Sequence, residues 1–412
     1  MTFTPITPTD FPWFDYQRYS FSLGLRTGGA EGKVVLSGHS ASEYSPDRGR
    51  IVVDGDMRAQ ANTAYDKVER ILEAAGLTLE DCVKVTENIT RAGIDDVAIA
   101  AEVRRERVGS AAPAVNTICV DALLRPDALI EVAITAAPGG GRAVVADSTR
   151  PGLLADAPAR AAEGITYLPS VLPVDDDGKI LGEDLLTQTE AVYDRAARML
   201  EDAGLAWSNV GFVVDFTTPD TLRDYKKTGR IRRDHLAAPY PGSAGILMSR
   251  LAHPGALIQL DLMASTAPLE AINPGWERYE KLTYSPAVRA GNVLFMSGQA
   301  ALDPETEQAV HAGDIAAQAE YTYGNIITVL EAAGAGPEHL VETVEFVTPA
   351  GLPRYRETAA VRSRLLAEPY PSSTGIICQG LLRPEFELEV LPLAILDDAA
   401  AAGGDPHAEG TS

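Results

Sequence analysis

The sequence predicts an α+β fold built three times over in one chain, each copy in the order β-β-α-β-α-β-β, with a mixed sheet and its helices on one face. A motif that recurs three times, a register that holds between the recurrences, and a switch of hydrophobic period inside each copy predict it. The motif reads Asp56-Met-Arg-Ala-Gln60 with Tyr65 and Gly76. It returns as Asp184-Leu-Leu-Thr-Gln188 with Tyr193 and Gly204, and as Asp314-Ile-Ala-Ala-Gln318 with Tyr323 and Gly334. Gln to Tyr is 5 residues and Gln to Gly is 16 in every copy. From that glycine to Pro113, Pro241 and Pro371 is 37, and 13 more lead to Pro126, Pro254 and Pro384.

Each element has a local cause. Alternating apolar runs give an opening strand pair, with Val34–Ser40 and Val293–Ala301 as its clearest members. The repeated Asp is an N-cap candidate. After it, Tyr65, Val68, Leu72 and Ala75 share one face at helical spacing, and the Ala-Gly pair ends the helix. An extended segment follows, as in Val83–Thr90 and Val341–Thr348. An Arg-rich second helix comes next, as in Leu352–Leu366, and two strands close the copy, Thr117–Leu123 and Leu129–Ala136 in the first. Boundaries follow: a first unit over 1–137 with an N-terminal extension, a linker over 138–163, a second and most diverged unit over 164–266, a linker over 267–280, a third unit over 281–397, and an acidic, disordered tail over 398–412.

Composition narrows the function. A net charge of −23 argues against nucleic-acid partners, which need clustered Lys and Arg. No apolar run reaches the ~18 residues of a membrane span. The N-terminus has neither a basic region nor an apolar one, so secretion is not expected. Cys82, Cys119 and Cys378 are too scattered for a disulfide framework, and the reading is cytoplasmic. The six His lack metal-ligand spacing, and Gly139-Gly-Gly141 is no phosphate loop, so neither metal nor cofactor is expected.

The third copy carries Tyr284-Ser-Pro-Ala-Val, Gly291-Asn-Val-Leu-Phe-Met-Ser297-Gly-Gln299, Val329-Leu-Glu-Ala-Ala-Gly334, Tyr370-Pro-Ser-Ser-Thr-Gly375 and Leu382-Arg-Pro-Glu385. The first carries Ser37-Gly-His39, Ile71-Leu-Glu-Ala-Ala-Gly76 and Leu124-Arg-Pro-Asp127, while the second has Pro169-Ser-Val171 where the others have Ser-Gly. These segments resemble the RidA (YjgF) family. The resemblance implies a chorismate-mutase-like fold, ligand clefts between neighbouring units, and three fused copies closed as an intrachain pseudo-trimer, monomeric or further assembled. It also implies hydrolysis of amino-acid imines or enamines with release of ammonia.

That activity uses an Arg two residues after the repeated Pro, where this chain has Val115, Ser243 and Ser373. The family's acid on the last strand maps to Ala133, Asp261 and Leu391. The catalytic candidates are therefore His39, in place of Gln and a general base near neutral pH, and Asp261, a buried acid. Candidates for holding substrate are Ser243, Ser373, Tyr284, Gln299, Arg125, Arg250 and Arg383. Glu131 and Glu389 repeat at one position and are assigned a structural bond at the central threefold. Tyr65, Tyr193 and Tyr323 are assigned to the core. The expected substrate is a reactive imine, enamine or related small metabolite. The step is a deamination or a diverged hydrolase, lyase or cyclising reaction. The alternatives are a non-catalytic binding or regulatory protein and, disfavoured by charge, an endoribonuclease.

Overall fold

The structure is a computed structural model that describes residues 3–29, 31–144 and 159–397. Three mixed sheets run through it. In the first, Gly24–Arg26, Val34–Leu36, Ile130–Ala136, Cys82–Thr90 and Ala114–Val120 lie side by side, and only the last pair is parallel. The second sheet repeats this with Arg160–Ala162, Ile165–Tyr167, Ile258–Ala264, Val210–Thr217 and Gly242–Leu247. The third does so with Ala287–Ala290, Val293–Met296, Leu388–Ile395, Leu340–Val347 and Ser372–Ile377.

The repeated motif is a folding device. Asp56, Asp184 and Asp314 each cap an 18-residue helix, accepting from Ala59 N at 3.0 Å, Thr187 N at 3.0 Å and Ala317 N at 3.3 Å. The Gln four residues on is buried and ties that helix to the loop entering the last strand. Gln60 donates to the Asp127 carbonyl at 3.1 Å and accepts from Leu129 N at 2.7 Å. Gln188 and Gln318 do the same with Gly255 and Leu257, and with Glu385 and Glu387. An amide supplies both donor and acceptor, which neither Glu nor Leu can.

The second-helix region differs from expectation in the third unit. Leu352–Glu357 is a 3-10 helix and the α-helix begins only at Thr358. Pro353 cannot donate a backbone hydrogen bond and suits the first turn of a helix only. The connections are also more structured than plain linkers. Arg160–Ala162 is the first strand of the second sheet, Arg142–Ala143 pairs with it, and Leu269–Ile272 pairs with Ala287–Ala290. The acidic tail lies outside the described residues, as does most of the first linker.

Each last strand buries both faces by alternation. Ile130, Val132 and Ile134 pack under the first unit's own helices, whereas Glu131 and Ala133 point the other way. Those other faces meet at the centre, where one apolar cluster draws Ile118, Phe216 and Phe346 from three sheets. Backbone bonds stitch the units. Ile376 pairs with Leu123 between third and first, and Ile246 with Leu381 between second and third. Ser170 N donates to the Val115 carbonyl at 3.2 Å between second and first.

Tyr65, Tyr193 and Tyr323 are fully buried, as core residues. They also mark a feature the motif reading missed. The hydroxyls of Tyr65 and Tyr323 donate to Glu87 and Glu345, 22 residues on. Those carboxylates, and Asp215 in the second unit, are wholly buried and pair with Arg104, Arg362 and Arg232, each 17 residues further. All three cysteines are buried. No helix among the described residues is long and apolar enough to cross a membrane.

Candidate functional site

The strand that opens at Val34 breaks at Ser37-Gly38 and resumes at His39–Ser40. The break is built into a seam between the first and third units. Ser373 N donates to Ser37 Oγ at 2.8 Å, and Gly38 N donates to Thr374 Oγ1 at 2.9 Å. A Cβ at 38 would stand 2.6 Å from Glu131 Oε1 and 2.8 Å from Thr374 Cγ2, so any larger residue displaces one or both side chains. The Glu131 carboxyl thus lies against the turn that carries His39, and Val132 is the ladder partner of His39.

A cleft of about 640 Å³ opens over this seam. His39, Glu131 and Arg125 line it from the first unit, and Ser373, Tyr355 and Arg362 from the third. The N-terminal extension contributes Phe14, Tyr19 and Phe21; Phe14 packs edge-to-face on Phe11 and on Tyr19, and Tyr19 lies tilted against Phe21. Three sequence-derived candidates, His39, Arg125 and Ser373, the last at the position of the absent Arg, therefore meet in one place.

The electrostatics corrects two expectations. Burial first, and then the nearby Lys67 charge, bring the His39 imidazole down to about 3, only partly opposed by a backbone hydrogen bond with Leu23. His39 is therefore neutral near pH 7 and a weak base, with Nε2 unpartnered. Glu131 is not a central structural acid. It faces the cleft, Oε1 has no partner, and burial pushes its carboxyl up to about 8 against the pull of Lys67. Lys67, which the sequence reading passed over, is buried on the capped helix and donates to the Ser40 carbonyl at 2.7 Å and to that of Ser42. Burial brings it down to about 7. Arg195 and Asn325 hold the same helical place and bind the carbonyls of Val174 and Leu302. Its side-chain anchoring is thus common to the three units, with a cation in the first and second and a neutral amide in the third.

The remaining candidates go elsewhere. Asp261 does not join His39. It opens onto a separate cavity of about 90 Å³ at the centre of the three sheets, together with Asn88, Asn116 and Phe346. Its carboxyl accepts from Ser170 Oγ at 2.6 Å, and burial raises it above the usual carboxylate range. Residues i and i+2 on one strand share a face, so Glu131 and Ala133 look alike in sequence; only the position along the strand separates cleft from centre. Gln259, Ser170 and Asn116 bond to one another and fill the second–first seam. Arg250 forms an ion pair with Asp95 at 3.1 Å across that boundary. At the second–third seam, Ser243 N donates to Ser297 Oγ at 2.8 Å. Gln299 there is buried and hydrogen-bonded with Tyr279, which packs edge-on against Tyr284 at 5.5 Å. Arg383 donates to the Glu307 carbonyl at 2.8 Å, so it braces a loop of its own unit.

A pH test follows from Glu131 and Glu389, both buried and both held at about 8 against an ordinary 4.5. Raised carboxyls keep their protons in the folded state after the unfolded chain has lost them. Their favourable contribution is complete below about pH 4.5 and is lost as pH rises toward about 8. The double variant Glu131→Gln/Glu389→Gln is expected to gain stability relative to wild type across that window in denaturant titrations. A difference that does not change with pH contradicts the assignment.

Among known families, the model for Endoribonuclease L-PSP matches residues 17–138 and 279–396. A RutC family protein of Synechocystis, slr0709, is 39% identical over 64 residues, 16% of this chain and 49% of that protein. Protein DfrA of Myxococcus xanthus is 44% identical over 70 residues, 16% of this chain and 53% of that protein. This chain thus spans about half the length of these relatives in each match. Among solved structures, RidA from the Antarctic bacterium Psychrobacter sp. PAMC 21119 is 31% identical, covering 28% of this chain and 89% of that one, with a TM-score of 0.26. With the family model matching both the first and the third unit, over more than half of the 412 residues, the chain belongs to the endoribonuclease L-PSP family.

Proposed function

We propose that the three units form an intrachain pseudo-trimer whose working cleft lies between the first and third units, and that this cleft hydrolyses a reactive imine or enamine. The observation that carries the reading is that Glu131 and His39 line one open cleft while Glu131 Oε1 and His39 Nε2 have no hydrogen-bond partner among the described residues. A carboxyl near 8 is protonated at neutral pH and shuttles protons with little driving force either way. It donates to the imine nitrogen as water adds to the imine carbon, and the resulting carboxylate takes the proton that water sheds. In the second half Glu131 protonates the amine, the C–N bond breaks, and the hydroxyl proton returns to the carboxylate. Ketone or aldehyde and ammonia leave. Neutral His39 accepts a hydrogen bond from the water or donates one to it, and so fixes its approach.

The other two clefts support the choice. One is filled by hydrogen-bonded side chains, and in the other Tyr279 covers Gln299. The test is ammonia release from imines generated in place, by an amine oxidase for those without a carboxylate on the imine carbon and by an amino-acid oxidase for those with one. Release faster than the spontaneous rate in the presence of the purified chain is expected. A rate equal to the blank, together with saturable binding of a metabolite, favours the non-catalytic alternative instead.

A further inference from the structure

The floor and the rim of the first–third cleft differ in charge. On the floor, Glu131 holds its proton, His39 is neutral, and Ser373 stands where an arginine would fix a deep carboxylate. Lys67 turns its ammonium to the Ser40 and Ser42 carbonyls and is not among the lining groups. The floor thus offers no free cation to an anion. The rim carries two. Arg125 from the first unit and Arg356 from the third are exposed, line the cleft, and have neither an ion pair nor a hydrogen bond among the described residues.

Their isolation is informative in a chain of net charge −23. Around Arg356, Arg354 pairs with Glu357, Arg362 with Glu345 and Arg364 with Glu320. The third-unit counterpart of Arg125, Arg383, is tied to a carbonyl. Acidic partners are abundant, yet these two guanidiniums, one from each side of the cleft, have none among the described residues.

The same rim is apolar. Five large hydrophobic side chains are exposed among the described residues, and three of them, Tyr19, Leu124 and Leu352, line this cleft. Exposed apolar side chains gathered at one concave place mark a binding surface.

We infer that the cleft takes an amphipathic anion, with an apolar or aromatic body against Tyr19, Leu124 and Leu352 and a carboxylate-class group held at the rim by Arg125 and Arg356. The orientation places the far end of the ligand at Glu131 and His39, and so rests on the proposed function for the identity of the reacting group. Its acid is at the mouth, with the reacting centre deepest.

Isothermal titration of the full chain tests this with 4-phenylbutyrate, 4-phenylbutanamide and butyrate. The phenyl acid is expected to bind saturably, one per chain, and about tenfold tighter than either the amide or butyrate. Arg125→Gln/Arg356→Gln is expected to weaken the phenyl acid by about tenfold and leave the amide unchanged, with an unchanged thermal midpoint. Tyr19→Ser is expected to weaken acid and amide alike. Equal binding of acid and amide, an unaffected double variant, or no saturable binding of any probe overturns the inference. Tight acid binding without ammonia release from any imine rejects the hydrolase and leaves the ligand class standing. Ammonia release with equal binding of acid and amide rejects the ligand class and leaves the hydrolase standing.

Discussion

Arg104→Met is expected to destabilise the fold by about 3–5 kcal/mol, because it strands the Glu87 carboxylate in the core. Glu87 is wholly buried, and among the described residues it receives, besides Arg104, only the Tyr65 hydroxyl, at 3.2 Å. The cost comes from desolvated charge without compensation more than from the worth of the pair itself. Adding Glu87→Gln to Arg104→Met removes that charge and is expected to recover much of the loss, since an amide still accepts from Tyr65. Guanidinium unfolding of the single and double variants reads the difference. A single variant as stable as wild type would mean that water reaches Glu87 in solution. The same carboxylate–arginine pairing recurs in the other two units, so Arg232→Met and Arg362→Met are expected to behave alike.

Glu131→Gln is expected to lower kcat for ammonia release by about 10²–10⁴, the usual worth of a positioned acid–base group. Glutamine keeps the size and a hydrogen bond but cannot pass a proton. His39→Gln, by contrast, retains a group able to hold water, and is expected to act less severely than His39→Ala. Asp261→Asn leaves kcat near wild type, because Asp261 faces the central cavity and not the cleft. The four variants separate the roles: loss in Asp261→Asn with full activity in Glu131→Gln would move the chemistry to the centre of the molecule.

The architecture was readable because each repeated residue has one physical task. The Asp must cap, the Gln must bond a loop in both senses, and the Tyr must fill a core, so their offsets survive divergence. The site was readable only in part. His39 and Ser373 could be placed by motif, but the motif says nothing of burial, which makes His39 a weak base. Glu131 and Asp261 occupy like-facing positions on equivalent strands, and periodicity alone cannot tell which end of a strand opens to solvent. Arg125 and Arg383 share an offset and differ in what they meet: one faces an open rim, the other a carbonyl. The aromatic N-terminal segment carries no repeat signal, since the units have no counterpart of its whole length. Its part in the cleft comes from the seam between units distant in sequence.

The seat of a bound ligand tests the first–third cleft most directly. A crystal structure of the chain soaked with 4-phenylbutyrate is predicted to hold one molecule between the Ser37-Gly38-His39 turn and the Ser373–Gly375 strand, its carboxylate at Arg125 and Arg356. A molecule bound instead under Tyr279 beside Gln299, or in the central cavity beside Asp261, would contradict it.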